Sequence, residues 1–296
     1  LIEEYFSGDL ITAVKKALQR LDGTYGLAVI SSDEPEKIVA ARLGSPLVIG
    51  VGNKENFIAS DVSAILGHTK RAVYLNDGEI ACLDRENFTI FDQRDSEIKR
   101  PVDEIEWSYE QSQKGGLKHY MLKEILEQPE VIKNSIRGRI IKGEGDVRLG
   151  GLEEIKEKLR GVKRIIIVAC GTARYAGLVG EYMLEEYAGI PVEVDYASEF
   201  RYRKPIIDQQ TVVLAISQSG ETADTLAAIR EAKKKGAITL GIVNTVGSTI
   251  ARETDAGVYN HAGPEIAVAS TKAFTSQLTV LALITVLLGR DRKSVV

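Results

Sequence analysis

Residues 211–236 read TVVLAISQSGETADTLAAIREAKKKG. The first half, TVVLAIS, is a short continuous apolar run rich in β-branched residues, the signature of a strand buried on both faces. The second half, from Glu221, carries Leu226, Ile229 and Ala232 at helical spacing and ends on three lysines and a glycine, so it predicts a helix with its stop signal. The same alternation extends outward in both directions. RIIIVACG from Arg164, PVEVDYA from Pro191, AITLGIVN from Ala237 and AGVYNHA from Ala256 read as apolar strands. ARYAGLVGEYMLEEYAG from Ala173 reads as a helix between the first two. Strands alternating with helices predict an α/β unit whose parallel sheet is covered on both faces. The late apolar run LTVLALITVLLG from Leu278 is shorter than the roughly 20 residues of a membrane span, which predicts a buried helix and no membrane partner.

Upstream the rhythm differs. ITAVKKALQRL from Ile11 predicts a helix with one apolar face. TYGLAVIS from Thr24, KIVAAR from Lys37, PLVIGVG from Pro46, NFIAS from Asn56, RAVYL from Arg71, GEIACL from Gly78 and NFTIFD from Asn87 follow as short strands separated by close turns. That spacing predicts an antiparallel, β-rich first 92 residues. Residues 93–118 are polar and read as a boundary, with Trp107 and Tyr109 as anchors on a neighbouring domain. The stretch from His119 to Ile141 reads as helical, with Pro129 kinking one helix or starting a second. The predicted division is therefore 1–92, a joining segment at 93–152, and an α/β domain at 153–296.

Composition narrows the function. The 296 residues hold 38 Lys and Arg against 42 Asp and Glu, a formal charge of −4, with 44% hydrophobic residues. A chain of this kind folds, and its weak negative balance argues against a nucleic-acid partner. Two cysteines, Cys82 and Cys170, form no disulfide framework and suit a cytoplasmic location. His68, His119 and His261 lie too far apart for metal-ligand spacing, so no metal is expected. The chain opens on Leu1 and stops at Val296 in a charged scrap, RDRKSVV, and is expected to be an internal piece of a longer protein.

Three strand–helix junctions hold the chemistry. The first is ACGTAR, 169–174, where Gly171 lets a backbone approach an anion at a helix start. A dinucleotide fingerprint fails because Ala173 stands where a second glycine is wanted, and no Gly-Lys-Ser/Thr follows for a P-loop. Asp195 at the end of the next strand is the residue a dinucleotide reading would assign to a ribose. The second junction is SQSGET, 217–222: three hydroxyls and a glutamine beside a helix N-terminus. Capping by Ser219 accounts for one hydroxyl; phosphate binding accounts for all of them. The third, EIAVASTK from Glu265, offers Ser270 and Thr271 as caps and Lys272 as a solvated charge, or alternatively a wall of the same pocket. Cys170 and His261 read as structural, and Lys233–Lys235 as a solvated helix end.

CGTARYAG from Cys170, ASEFRYR from Ala197, SQSGETADTLAA from Ser217 and EIAVASTKAFTSQL from Glu265 together resemble the glutamine–fructose-6-phosphate aminotransferases, the glucosamine-6-phosphate synthases. GSPLVIGVG from Gly44, NFIASD from Asn56 and HYMLKEILEQP from His119 fit the same family. The resemblance implies that residues 1–92 are the C-terminal part of an Ntn-type αββα class II glutamine amidotransferase domain. It implies that 153–296 is the first of two sugar-isomerase (SIS) domains, a flavodoxin-like αβα sandwich. It implies a whole enzyme that makes glucosamine 6-phosphate from fructose 6-phosphate and glutamine, without cofactor, as a homodimer. Carried over by motif, Ser217, Ser219 and Thr222 would hold the phosphate, with Gln218 in the same loop. Thr172 would touch the phosphate or a sugar hydroxyl, and Val268 and Ser270 would line the sugar. No catalytic residue is carried over: the family's N-terminal cysteine and the acid–base groups of its second sugar-isomerase domain match nothing here. This piece alone is accordingly expected to be inactive. Ala173 departs from the family's frequent serine. The alternatives are a non-enzymatic phosphosugar-binding regulator, a deglycase of the same fold, and a dehydrogenase.

Overall fold

The computed structural model describes residues 1–105 and 113–292. Trp107 and Tyr109 lie outside the described residues. The chain forms two compact units, Leu1–Ser112 and Gln113–Val296.

In the first unit α1 (Ile2–Tyr5) leads into α2 (Leu10–Leu18). Asp9 starts α2: its carboxylate accepts from the Thr12 amide at 3.1 Å, filling one orphan donor of the first turn. One antiparallel sheet runs β1 (Tyr25–Val29), β2 (Ile38–Leu43), β6 (Ile80–Leu83), β7 (Phe88–Phe91), β8 (Glu97–Ile98) in spatial order. A second runs β4 (Asn56–Ala59), β3 (Val48–Val51), β5 (Arg71–Tyr74), β9 (Asp103–Glu104). Period-2 alternation sorts the side chains. Val39, Ala41 and Ile80 bury against Leu10 and Val14 of α2. Their neighbours Ala40, Ala81, Leu83 and Ile90 pack on Ile49 and Val73 of the other sheet. The outer face of that sheet is closed by Val62, Ile65 and Leu66. The layers are helix, sheet, sheet and a short capping turn. Within residues 93–118, which read as a polar boundary, β8 and β9 each add a short rung to one sheet.

The second unit begins with α3 (Tyr120–Ile136), a small hairpin β10–β11 (Ile140–Ile141, Asp146–Val147) and α4 (Lys156–Arg160). Pro129 does not start a second helix; it lies inside α3. A proline here strips the Ile125 carbonyl of its i+4 donor. The Gln128 side-chain amide donates to that carbonyl at 3.0 Å, which supplies the missing bond.

Five parallel strands follow: β12 (Arg164–Ala169), β13 (Val192–Tyr196), β14 (Thr211–Ser217), β15 (Ile238–Val243) and β16 (Ala256–Tyr259). Their spatial order is β13-β12-β14-β15-β16. Counted within the unit this is 2-1-3-4-5, the flavodoxin-like order. Alternate residues of β12 face opposite helix layers. Ile165, Ile167 and Ala169 pack with α5 (Gly171–Ala188) and α9 (Lys272–Asp291). Ile166 and Val168 pack with α6 (Ala197–Tyr202), α7 (Ala223–Lys234) and α8 (Thr249–Glu253). α5 and α9 approach closely because Gly180 lacks a side chain; a Cβ there would sit 2.9 Å from Leu281 Cδ2. Among the described residues α9 is the one helix long and apolar enough to cross a membrane, and 67% of its apolar window is buried in this fold, as expected of a core helix.

Candidate functional site

The parallel sheet sets the site by topology. β13 lies to one side of β12 and β14 to the other, so the chain reverses direction across the sheet between β12 and β14. In open α/β sheets the crevice at such a switch point, beyond the carboxyl ends of the strands, is where ligands sit. Ala169 pairs with Ile216 across this boundary, so the 170–174 and 217–222 loops leave the sheet side by side.

The loop Ser217–Thr222 is built from its own hydroxyls. Ser217, buried at the end of β14, places its Oγ 3.0 Å from Thr222 Oγ1 and accepts from the Gly220 amide at 3.0 Å. Ser219 Oγ accepts from the Glu221 amide at 3.1 Å. Gly220 makes the turn with φ +69°, and a Cβ at that position would lie 2.0 Å from Ser248 Oγ. Thr222 stands at the N-cap of α7 but makes no side-chain cap bond. The first amides of a helix have no intrahelical acceptor. The loop therefore carries Ser219 and Thr222 to the start of α7, hydroxyl and amide donors of a kind suited to an anionic oxygen.

A second layer of residues, which the sequence reading did not single out, braces this loop. The Glu221 carboxylate accepts from the Thr249 amide at 2.7 Å and from Thr249 Oγ1 at 2.8 and 3.0 Å, tying the loop to the start of α8. The Ile250 amide donates to the Gly220 carbonyl at 2.9 Å. Asn244, buried just past β15, links two junctions. Its amide donates to the Gln218 carbonyl at 3.2 Å, its Nδ2 to the Gly263 carbonyl at 2.7 Å, and its Oδ1 accepts from the Ala262 amide at 2.8 Å. A polar residue ending the apolar run AITLGIVN was the available signal.

At the first junction, Cys170 occupies the N-cap of α5 without a side-chain cap bond, Gly171 has φ +56°, and Thr172 is exposed on the first turn. Ala173 is 8% exposed and joins the core beneath α5. Its side chain packs inward, so a serine hydroxyl there would start from a buried position. Arg174 stacks on the Tyr196 ring at 4.1 Å, on the β13 side of the crevice. Asp195 is ion-paired to Arg203 at 2.7 Å, which occupies the carboxylate that a ribose would need.

The third junction differs from its sequence reading in two ways. Lys272 is not solvated: it is 3% exposed, with Nζ 2.6 Å from Glu127 Oε2 of α3. Thr271 does not cap α9 with its side chain; Glu265 does that work, accepting from the Thr271 and Ala273 amides at 2.8 and 3.1 Å. Ser270 Oγ accepts from the Phe274 amide at 3.2 Å. Val268 projects wholly into solvent at the apex of the loop.

Carboxylates near these loops are already engaged, Glu221 by Thr249 and Glu265 by the α9 amides. His261 is exposed with left-handed φ +55°. Cys82 lies in β6, where burial pushes its thiol up and keeps it protonated. Among the described residues no three His, Cys, Asp or Glu side chains gather as metal ligands.

Comparison with known proteins follows the same outline. Residues 158–287 match the model of the SIS domain. The glutamine--fructose-6-phosphate aminotransferase [isomerizing] of Chlorobaculum tepidum is 56% identical over 95% of this chain and 46% of its own length. That of Thermus thermophilus is 50% identical over 99% of this chain and 48% of its own length. The solved C-terminal domain of glucosamine-fructose-6-phosphate aminotransferase from Francisella tularensis superposes with a TM-score of 0.59 at 43% identity, covering 62% of this chain and 51% of that one. The chain thus spans about half the length of the curated relatives it matches. Residues 158–287 are thus similar to the SIS domain, and nearly the whole chain is similar to the glutamine–fructose-6-phosphate aminotransferases.

Proposed function

We propose that the SIS domain of this chain binds a phosphosugar, with the phosphate at the Ser217–Thr222 loop, and that the whole protein converts fructose 6-phosphate and glutamine to glucosamine 6-phosphate and glutamate. The observation that carries the binding reading is the loop itself: Ser217, Ser219 and Thr222 with the open N-terminus of α7, at the switch point of the sheet. In this reading Ser219 and Thr222 donate to phosphate oxygens, Ser217 holds Thr222 in place, and Gln218 borders the site. Thr172 reaches in from across the crevice. Ser270 and the backbone near Val268 form the sugar side.

The chemistry divides accordingly. A phosphate anchor fixes the sugar in one orientation and lowers the entropic barrier to reaction. Moving a proton between C1 and C2 of a ketose imine needs a positioned acid–base group. The carboxylates beside these loops are engaged with backbone amides, so the role assigned to this domain is holding substrate and product. The first unit, in this reading, is the C-terminal part of an Ntn-type class II amidotransferase domain spanning 1–92, joined through 93–152 to the SIS domain at 153–296. Its layered sheets and the 56% identity to an aminotransferase across both units support that assignment. A cytoplasmic homodimer that takes ammonia from glutamine completes the proposal.

Calorimetric titration of the chain with fructose 6-phosphate and glucosamine 6-phosphate tests it. Saturable binding that weakens about tenfold in Ser219→Ala is expected, the loss of one charge-assisted hydrogen bond. Binding that is absent, or indifferent to Ser219, would refute it.

A further inference from the structure

The loop Glu265–Ser270 is held from outside the sheet, by one face of α3. Glu124 is 2% exposed, and its Oε1 accepts from the Ile266 amide at 2.7 Å and the Ala267 amide at 3.1 Å. Its Oε2 is buried with no hydrogen-bond partner among the described residues. Glu127 takes the buried Lys272 ammonium at 2.6 Å, and Gln128 Oε1 accepts from Thr275 Oγ1 at 2.5 Å. Positions 124, 127 and 128 are i, i+3 and i+4, neighbours on one helix face. All three reach across to the loop and to the first turn of α9, about 140 residues further along.

A buried carboxylate is costly unless its hydrogen bonds repay the lost hydration. A hydrophobic side chain would dock α3 on α9 without that cost. What only an acceptor at 124 supplies is a fixed direction for the 266–267 peptide groups, immediately before the exposed Val268 and before Ser270. The Ser217–Thr222 loop is braced by other residues, Glu221 onto Thr249 and Asn244 onto the Gln218 carbonyl. Glu124 bonds the 265–270 wall directly, whereas the braces of the phosphate loop come from the starts of α7 and α8 and from Asn244, which also ties that loop to residues 262–263.

Resting on the phosphosugar reading above, we propose that Glu124 is a positioning residue for sugar recognition: it fixes the backbone of residues 265–270 against the sugar, while the phosphate is held without its help. The test is calorimetry on the full chain with two probes, glucosamine 6-phosphate and inorganic phosphate. Glu124→Ala is expected to weaken glucosamine 6-phosphate about tenfold and to leave inorganic phosphate within about twofold. Glu124→Gln keeps an oxygen for the same two amides and is expected to bind both probes within about threefold of the parent chain. Glu124→Asp keeps the charge, folds more surely than the alanine variant, and is one methylene too short to reach both amides. It is expected to show the same selective loss, smaller in size. Equal weakening of both probes would mean general damage to the fold and would overturn the proposal, as would no change in either. Ser219→Ala should weaken both probes. Failure of the parent chain to bind either would refute the phosphosugar reading and the positioning role with it, whereas binding that depends on Ser219 but not on Glu124 would refute the positioning role alone.

Discussion

Gly220 and Gly171 stand at corresponding turns, each with positive φ, yet they are constrained differently. Gly171 has nothing within 4 Å of where a Cβ would project, whereas at Gly220 that position is 2.0 Å from Ser248 Oγ and 2.5 Å from Ser248 Cβ. Alanine at 171 therefore meets backbone strain alone, about 1–3 kcal/mol. Alanine at 220 meets the same strain and must also displace Ser248, whose hydroxyl is buried. Urea denaturation is expected to show Gly220→Ala as the more destabilised of the two. Equal losses would mean that Ser248 yields freely. At this scale the sequence was partly legible. The hydroxyl cluster at 217–222 announced itself because its members are contiguous. Its braces announced themselves less, since Thr249 and Asn244 come from another loop, and only the polar end of AITLGIVN marks one of them. Lys272 was misread for the same reason: its partner Glu127 is 145 residues away in sequence.

α9 shows what an element contributes. Val280 and Leu281 are fully buried, and Leu281 fills the groove that Gly180 leaves on α5. Leu281→Ala should cost about 2–5 kcal/mol, the loss of buried methyl groups plus the cavity they leave, read as a shift in the denaturation midpoint. A loss below 1 kcal/mol would contradict this packing. The ends of β15 and β16 add an acid-sensitive joint. Burial raises the Asp255 carboxyl, but hydrogen bonds from the Thr239 amide and hydroxyl, both 2.8 Å, together with Lys233 pull it below its ordinary value of 3.8. A carboxyl lowered by folding stabilises fully above its unfolded pKa and loses that contribution as pH falls through the folded value. The chain should therefore lose stability below pH 3.8, and Asp255→Asn should be less stable at neutral pH with a flatter acid limb. An unchanged acid limb in Asp255→Asn would assign the acid loss elsewhere. Elements were the most legible scale. Period-2 and continuous apolar runs mark every strand from β1 to β7 and from β12 to β16, because burial on one face or two writes itself into the letters. The second helix that Pro129 offered as one alternative does not form, and the bond that lets the helix run on, the Gln128 side chain on the Ile125 carbonyl, is a side-chain geometry that no propensity encodes.

Over the whole molecule, the parallel sheet orders its strands so that three separate strand–helix junctions share one edge, and this convergence marks the candidate site. The alternation of strand and helix was readable; the 2-1-3-4-5 order was not, since pairing is decided by long-range packing rather than by any strand's own residues. Motif resemblance supplied what periodicity could not, and the 46–56% identities to aminotransferases bear that resemblance out along the chain. The central claim is that the phosphate of a sugar phosphate rests on the Ser217–Thr222 loop. A crystal structure of the chain soaked with glucosamine 6-phosphate tests it most directly. The account predicts phosphate oxygens within hydrogen-bond distance of Ser219 and Thr222 at the start of α7, with the sugar extending toward Ser270. A phosphate bound elsewhere on the domain, with that loop empty, would contradict it.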